Sequence, residues 1–325
     1  MSAYWKHFPK IQGDLNKVWD LLKSESQKAP QPLRPELEAL AANPGKGLRA
    51  ALLLATARVG SPKLNEAHYA LAAGIELLHL ASLIHDDVVD SSQTRRGSPS
   101  LSSRLGPRAA VLYGDLLFAS CFRLITSHCS EENARNLARV VELMAGTEIL
   151  QLQERGKFNP SLLVAKKKIM GKTAALFSMC FFVGASEGGL SLQEAKLLRR
   201  AGYAFGMAFQ IEDDLLDLTQ EIGAIGKPVG HDLKEGHFSL PVVLAAKSRP
   251  QVQKLLIPAL GASKLDDRDK EELLKALKQS NSLDDSKVLA EEYRAWTQKD
   301  LLRALGETRS NELLQILEHV SQRKF

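Results

Sequence analysis

The chain has 325 residues, of which 44% are hydrophobic and 25% charged, and its formal net charge is +5. This composition is typical of a soluble globular protein that is long enough to bury a sizeable core. No dense basic run is interleaved with aromatic residues, so nucleic-acid binding is not expected. The three cysteines (Cys121, Cys129 and Cys180) lack CxxC spacing and lie in apolar segments. They argue against a disulfide framework or a zinc site and predict buried free thiols.

The start of the chain has no charged region followed by an apolar one, which argues against a signal peptide. The most apolar stretch, residues 174–185, is shorter than the roughly 20 residues that a membrane-spanning helix needs. We therefore expect a cytoplasmic protein without a transmembrane segment. Contact with a membrane surface is left open.

Strand signals are sparse, because Ala, Leu, Glu and Lys dominate and Val/Ile/Thr alternation is rare, so the expected fold class is all-α. Apolar residues at helical spacing predict helices, in chain order, at residues 11–27, 34–42, 48–59, 65–90, 106–128, 131–155, 159–184 and 191–218. Polar or glycine-rich loops are expected at residues 91–99 and 221–236. A short helix should follow from about residue 240, and residues 250–325 predict three or four shorter surface helices. No linker interrupts the pattern, so one domain spanning residues 1–325 is expected.

The first acidic motif, Asp86, Asp87 and Asp90, ends an apolar helix. Asp86 and Asp90 are four residues apart and lie on one helical face, where charge repulsion and the helix dipole call for a cation. Mg²⁺ prefers a few carboxylates together with phosphate oxygens and water. Arg95 and Arg96 follow in the loop, and paired arginines suit bidentate recognition of a diphosphate. The pattern favours a metal–diphosphate site over a solvated acidic helix end.

The second acidic motif, Asp213, Asp214 and Asp217, also ends an apolar helix, and its first aspartate follows that of the first motif by 127 positions (213 − 86). Lys227 follows in the glycine-rich loop. Two carboxylate clusters on separate inward-facing helices can bind a metal–diphosphate from both sides. Two such motifs, each trailed by basic residues, are a much stronger signal than one.

Over almost its whole length the chain resembles the trans-polyprenyl diphosphate synthases, with the motifs in the same order. The resemblance rests on these segments: HDDVVD followed by RRG, FQIEDDLLD, GKGLR at residues 45–49, Gly114-Asp115, Lys172-Thr173, and GKPVGHDLKEGHFSLP at residues 226–241. Two departures stand out. The early motif reads GKGLR where two glycines and an arginine usually surround the lysine, and His237 stands where the family usually has lysine.

The resemblance implies the isoprenoid synthase fold, a single-domain bundle of about ten or more helices around a deep central cavity. It implies a Mg²⁺-dependent prenyltransferase that joins isopentenyl diphosphate to an allylic diphosphate, head to tail and in trans geometry. Three Mg²⁺ ions would be bound by Asp86, Asp87, Asp90, Asp213 and Asp217, with Asp214 in support. The allylic diphosphate or its metals would be contacted by Arg95, Lys172, Thr173, Gln210 and Lys227. The isopentenyl diphosphate would be held by Lys46, Arg49, His79 and Arg96. The residues expected to be catalytic are Asp86, Asp87, Asp90, Lys172, Asp213 and Lys227.

Product length is expected to depend on the residues behind the first motif. In the family, bulky aromatics four or five residues before the first aspartate block the product tunnel early, and here Ser82 and Ala81 are small. We therefore expect a product longer than geranylgeranyl diphosphate, such as a precursor of a quinone side chain.

Several alternatives stay open at this point. They are a shorter-chain farnesyl or geranylgeranyl diphosphate synthase, one subunit of a heteromeric synthase, a terpene cyclase and a non-catalytic regulatory subunit. The second DDxxD argues against a cyclase, and the intact aspartates argue against a regulatory subunit. The family is usually dimeric, so a homodimer is expected and a heteromer is left open.

Overall fold

The structure is a computed structural model that describes residues 3–42, 45–95, 97–154, 161–219, 233, 238–256 and 267–322. These residues form a predominantly helical protein, which confirms the predicted fold class. The first six helices are α1 (Pro9–Gln27), α2 (Arg34–Ala42), α3 (Leu48–Gly60), α4 (Glu66–Val89), α5 (Leu101–Leu105) and α6 (Pro107–His128). They are followed by α7 (Glu131–Gln153), α8 (Leu162–Ile169), α9 (Ala175–Glu187) and α10 (Leu192–Thr219). The last four are α11 (Leu240–Ser248), α12 (Pro250–Leu256), α13 (Asp267–Lys278) and α14 (Ser282–Ser321).

The structure departs from the predicted helix pattern in two places. The predicted loop after α4 contains a small antiparallel hairpin of β1 (Thr94–Arg95) and β2 (Ser98–Pro99). The single helix predicted over residues 159–184 is interrupted by a π-helical segment, Met170–Ala174. Both deviations depend on the local backbone conformation. Apolar periodicity does not report this conformation, so the sequence pattern could not predict them. After α11 the described residues contain α12, α13 and α14, and α14 consists of two helices that meet at a kink at Gly306, which agrees with the three or four shorter helices predicted there.

The described chain divides into two compact units, and the first motif belongs to unit 1. Unit 1 comprises Met1–Leu137, Met179–Arg199 and Ala304–Gln322. Its central helix α4 packs against α6 through small residues, since a Cβ on Gly74 would lie 2.6 Å from Ile125 Cγ1. Gly114 of α6 likewise lies directly against the His85 ring. This close packing fixes α4, and with it the acidic motif at its C-terminal end.

Unit 2 comprises Ala138–Ser178, Arg200–Arg303 and Arg323–Phe325, and it contains the second motif. A buried cluster joins α8, α10, α11 and α14, with Met207, Ile211 and Leu215 of α10 among its members. The rings of Phe177 and Phe205 pack edge to face with centroids 5.3 Å apart. The division of the chain into these units does not test the predicted single domain, which stays a prediction.

Three helical stretches are long and apolar enough to cross a membrane by length and composition: Glu66–Val89, Pro107–His128 and Leu162–Glu187. The expectation that the most apolar stretch, residues 174–185, is too short for a span is therefore wrong on length, because it lies within Leu162–Glu187. Most of the apolar window is buried inside the protein for the first and third of them (67% and 78%), but only 33% for Pro107–His128. The core explains the apolar character of the first and third stretches, because residues that are buried on most sides must be apolar on most sides.

Candidate active site

The carboxylates of the first motif differ in their exposure. Asp90 caps the C-terminus of α4, and its backbone N–H donates to the carbonyl oxygen of Asp86 at 2.8 Å. Asp86 and Asp90 are partly exposed and lie one turn apart, whereas Asp87 is only 3% exposed. Asp86 and Asp90 thus present two oxygen ligands on one accessible face, which is the donor chemistry that Mg²⁺ prefers.

Asp87 anchors the hairpin that follows α4. Arg95 donates to Asp87 Oδ1 through Nε at 3.0 Å and through Nη2. The backbone N–H of Ser92 also donates to the carbonyl oxygen of Asp87 at 2.9 Å. The predicted diphosphate ligand Arg95 is therefore paired with Asp87 in this structure. Arg96 lies outside the described residues.

Lys46 and Arg49 sit at the start of α3, where the backbone turns sharply. Gly45 and Gly47, on either side of Lys46, both have positive φ (78° and 63°), a region that glycine adopts at little steric cost. Gly47 offers no side-chain cap to α3, and the carboxylate of Glu76 accepts from the backbone N–H of Ala50 at 3.0 Å instead. Glu76 thereby joins the first turn of α3 to α4, the helix that carries His79.

His79 lines an apolar cavity of about 420 Å³ within unit 1. Leucines of α4 and α6 form much of its wall, among them Leu80, Leu83 and Leu116. We do not equate this cavity with the deep central cavity expected for the fold, which stays a prediction. His85, next to the first aspartate, has a structural partner, because its Nε2 lies 3.1 Å from the carbonyl oxygen of Val111.

The second motif divides in the same way as the first. Asp214 is buried, Asp217 is partly buried and Asp213 is exposed at the surface of α10. Glu212, the neighbouring acidic residue, forms an ion pair with Arg294 of α14. The exposed Asp213 and the partly buried Asp217 are four residues apart and so share a helical face, as Asp86 and Asp90 do.

A hydrogen-bonded chain runs behind the second motif within unit 2. The Thr173 hydroxyl donates to Gln210 Oε1 at 2.7 Å, and Gln210 Nε2 donates to Asp214 Oδ1 at 2.9 Å. The other oxygen of Asp214 accepts from the backbone N–H of Leu240 at 3.4 Å. Because each link has one donor and one acceptor, the chain fixes the direction of the Gln210 amide.

Lys172 projects from the π-helical segment next to Thr173. Its side chain is exposed, and its Nζ lies 3.6 Å from Glu148 Oε1. Gly171 sits so close to Thr147 that a Cβ would overlap the Thr147 side chain. The π turn, which is frequent at functional sites, therefore combines an exposed lysine with a buried threonine in adjacent positions. The predicted Lys227 lies outside the described residues, as does His237.

No group of three or more His, Cys, Asp or Glu side chains within the described residues is arranged to hold a metal ion by itself. The pairs Asp86/Asp90 and Asp213/Asp217 nevertheless have the right chemistry for a hard cation that is also bound by phosphate oxygens and water. The predicted metal ligands fit the ion in type, and their role stays a proposal.

Comparison with known proteins decides the family. The family model for polyprenyl synthetase matches residues 30–277. The chain belongs to this family. Component 2 of the heptaprenyl diphosphate synthase of Bacillus subtilis strain 168 is 32% identical over 284 residues, which cover 86% of this chain and 80% of that protein.

Two solved structures of similar proteins extend the likeness to the fold. The polyprenyl synthase of Caulobacter crescentus CB15, complexed with calcium and isoprenyl diphosphate, is 32% identical with a TM-score of 0.87, covering 97% of this chain and 96% of that one. A decaprenyl diphosphate synthase from Rhodobacter capsulatus is 31% identical with a TM-score of 0.89, covering 98% and 99%. The predicted isoprenoid synthase fold is thereby confirmed. As a polyprenyl synthetase, the chain is a prenyltransferase that condenses isopentenyl diphosphate with an allylic diphosphate.

Sequence reasoning missed several residues that shape this polyprenyl synthetase site. Glu76 lies in the apolar helix α4 and is not among the predicted site residues. A buried carboxylate needs a hydrogen-bond partner, and that requirement is the signal that could have indicated its contact with the backbone N–H of Ala50. Glu148 and Arg294, which pair with residues of the motifs, are ordinary charged positions in the sequence, and nothing local distinguishes them.

Proposed function

We propose that this polyprenyl synthetase is Mg²⁺-dependent and makes a product longer than geranylgeranyl diphosphate, as a precursor of a quinone side chain. The observation that carries the metal-dependent part is the contrast within each motif. Asp86 and Asp213 are accessible, whereas Asp87 and Asp214 are buried and hydrogen-bonded to neighbouring groups. Each accessible aspartate has a second aspartate four residues on along the same helical face, and such like-charge pairs are unfavourable without a cation.

The roles follow from this contrast. Asp86, Asp90, Asp213 and Asp217 would hold Mg²⁺, three ions in all, while Asp87 would act by orienting Arg95. Mg²⁺ held by these carboxylates would supply positive charge that stabilises the diphosphate leaving group.

Exposed cations of the chain would add to this stabilisation. Lys172, and Lys227 outside the described residues, would donate hydrogen bonds to the allylic diphosphate as negative charge develops on it. Lys46, Arg49, His79 and Arg96 would hold the second diphosphate, so that the isopentenyl double bond is positioned to attack the allylic cation. A proton is then lost from the isopentenyl unit, and we assign its acceptance to the departing diphosphate.

Product length is the finer part of the proposal. Ala81 is fully buried and Ser82 is partly buried, with its hydroxyl donating to the His79 carbonyl oxygen at 2.8 Å. Phenylalanine at residue 81 would overpack the core at a cost of about 1–3 kcal/mol. Ser82→Phe is the better test, because the larger side chain has space at a partly exposed position. We expect a shorter product from Ser82→Phe, and an unchanged product length would contradict this part of the proposal.

The deciding experiment is incubation of the purified chain with farnesyl diphosphate, labelled isopentenyl diphosphate and Mg²⁺, with product sizes read by chromatography. A ladder that ends in one long product supports the proposal, and a C15 or C20 end product supports the shorter-chain alternative. A matched reaction with EDTA tests the metal. Complete absence of product would favour the heteromeric alternative, which the name of the Bacillus subtilis relative, a component 2, also motivates.

We further propose a cytoplasmic homodimer that contacts membranes only at their surface. The apolar surface of α6 supports a protein interface, since Leu112 is 68% exposed and Val111 is exposed as well. Leu112→Glu should shift the protein toward monomer in size-exclusion chromatography with light scattering. An unchanged dimer would place the interface elsewhere.

A further inference from the structure

The backbone at Lys46 is held by a residue from the start of the chain. The indole Nε1 of Trp5 donates to the carbonyl oxygen of Lys46 at 2.7 Å, and Trp5 is only 2% exposed. Lys46 lies between Gly45 and Gly47, both in the left-handed region. Glycine has the widest conformational freedom of any residue, so a fixed partner is needed to give this turn one conformation.

Aromatic rings also surround the lysine and its turn. The Lys46 ammonium lies 4.7 Å from the centroid of the Tyr4 ring, within the range of a cation–π interaction. On the other side, a Cβ on Gly47 would lie 2.6 Å from Cζ2 of Trp19 in α1. The cation–π contact is weaker than a charge-assisted hydrogen bond to a phosphate oxygen. The Tyr4 ring can therefore orient the ammonium group without withholding it from a diphosphate.

The N-terminal residues are in turn docked on the last helix. His319 Nε2 lies 2.8 Å from the carbonyl oxygen of Tyr4, and the Tyr4 hydroxyl donates to the carbonyl oxygen of His319 at 3.5 Å. The His319 ring also lies against Tyr4, Trp5 and Phe8, with centroids 4.7, 5.7 and 5.2 Å apart. All of these residues belong to unit 1. An unbroken series of contacts therefore leads from α14 through the N-terminal segment to Lys46.

We infer that Trp5 and His319 are positioning residues that set the affinity for isopentenyl diphosphate by ordering the Lys46 turn. The inference rests on the proposed role of Lys46 in holding that diphosphate. A turn that is already ordered loses less conformational entropy when the ligand binds, so its affinity is higher. Binding of the allylic diphosphate is assigned to other residues, so its affinity should not depend on the contacts of Trp5 and His319.

The test replaces one hydrogen-bond donor while keeping an aromatic ring. Trp5→Phe should raise the KM for isopentenyl diphosphate about fivefold, the factor that corresponds to one net hydrogen bond. The KM for the allylic substrate and kcat should stay within about twofold. Trp296→Phe is the matched control, because the Trp296 indole also donates one hydrogen bond, to Asp300 Oδ2 at 2.7 Å, within unit 2. It should leave the KM for isopentenyl diphosphate unchanged.

A second pair of variants separates positioning from folding. His319→Ala should raise the same KM, and His319→Gln, whose amide can still donate to the Tyr4 carbonyl, should restore most of it. Binding of isopentenyl diphosphate by calorimetry gives the same comparison without turnover. An unchanged KM and Kd in both Trp5→Phe and His319→Ala would overturn the inference, as would equal changes for both substrates.

The Lys46→Ala variant tests the proposed role of Lys46 in holding isopentenyl diphosphate separately from the positioning role of Trp5 and His319. If Lys46→Ala leaves the affinity for isopentenyl diphosphate unchanged, the assigned role of Lys46 is wrong. If Lys46→Ala weakens binding but neither Trp5→Phe nor His319→Ala does, Lys46 keeps its role and the positioning inference fails.

Discussion

Replacing Thr173 by valine should impair catalysis through Gln210 and Asp214, the next two residues in the hydrogen-bonded chain. The substitution keeps the shape of the buried side chain and removes the hydroxyl that donates to Gln210 Oε1 at 2.7 Å. Gln210 then loses the contact that fixes its amide, and its Nε2 is no longer held toward Asp214. We expect a fall in kcat/KM for the allylic diphosphate.

The structure bounds the size of this effect. Loss of one neutral hydrogen bond is equivalent to about 1 kcal/mol, or roughly fivefold in rate. If the Gln210 amide also reverses, Asp214 loses a charge-assisted bond of about 1.5–3 kcal/mol. The expected fall in kcat/KM is therefore about fivefold, for about 1 kcal/mol, to roughly 700-fold, for about 4 kcal/mol. If the Gln210 amide keeps its direction, the thermal midpoint should fall by only a few degrees, because about 1 kcal/mol is small for a chain of this length.

Steady-state kinetics with the allylic substrate varied, together with a thermal melt, measures both quantities. Thr297→Val is the matched control, since the Thr297 hydroxyl is also buried in unit 2 and donates to the Tyr293 carbonyl oxygen at 2.9 Å. It should lower the thermal midpoint by a similar amount and leave kcat/KM intact. If Thr173→Val matched this control in both measurements, the chain behind the second motif would be purely structural and our reasoning refuted.

Three further variants and one chemical modification test the site and the core around it. Asp86→Asn and Asp213→Asn should each abolish most turnover while leaving the thermal midpoint without Mg²⁺ unchanged, as both carboxylates are accessible; a large loss of stability would contradict this. Asp87→Asn should instead lower the free energy of unfolding by about 1–3 kcal/mol, because its carboxylate is buried against Arg95; chemical denaturation measures it, and an unchanged stability would refute the anchoring role. Burial raises the pKa of the Cys180 thiol to about 12, so Ellman's reagent at pH 8 should modify it only after unfolding. Because the pKa of this thiol is higher in the folded protein than its ordinary value of 9.0, its protonated form stabilises the folded state over the unfolded one. This contribution is present below pH 9 and is lost as the pH rises toward 12. Rapid modification of the native protein at pH 8 would contradict the burial of the thiol.

Much of the fold could be predicted because local signals in the sequence, such as apolar periodicity and helix caps, agree with the structure. Helix α2 spans the predicted residues, and α4 begins where Asn65 and His68 form a capping box. The aspartate motifs end apolar helices as predicted, since an acidic run cannot continue a buried helix. Of the predicted buried thiols, Cys121 and Cys180 are buried and Cys129 is partly exposed.

The remaining features depend on contacts between segments that are distant in sequence. Whether Arg95 contacts a ligand or Asp87 depends on a hairpin with two-residue strands, too short to give a periodic signal. The π turn at Lys172 inserts one residue into a continuous apolar pattern, so the sequence there reads as one helix.

The contact between Tyr4 and His319 brings the N-terminal segment and the last turns of α14 to one place, beside the Lys46 turn. A purification tag at either terminus would therefore be attached within a few residues of this contact. Kinetic constants for isopentenyl diphosphate should be compared between tagged and cleaved protein before any variant is interpreted. The same closeness makes a circularly permuted variant, in which a short linker joins the segment before Tyr4 to the segment after α14, a practical way to move the tagged termini away from the site.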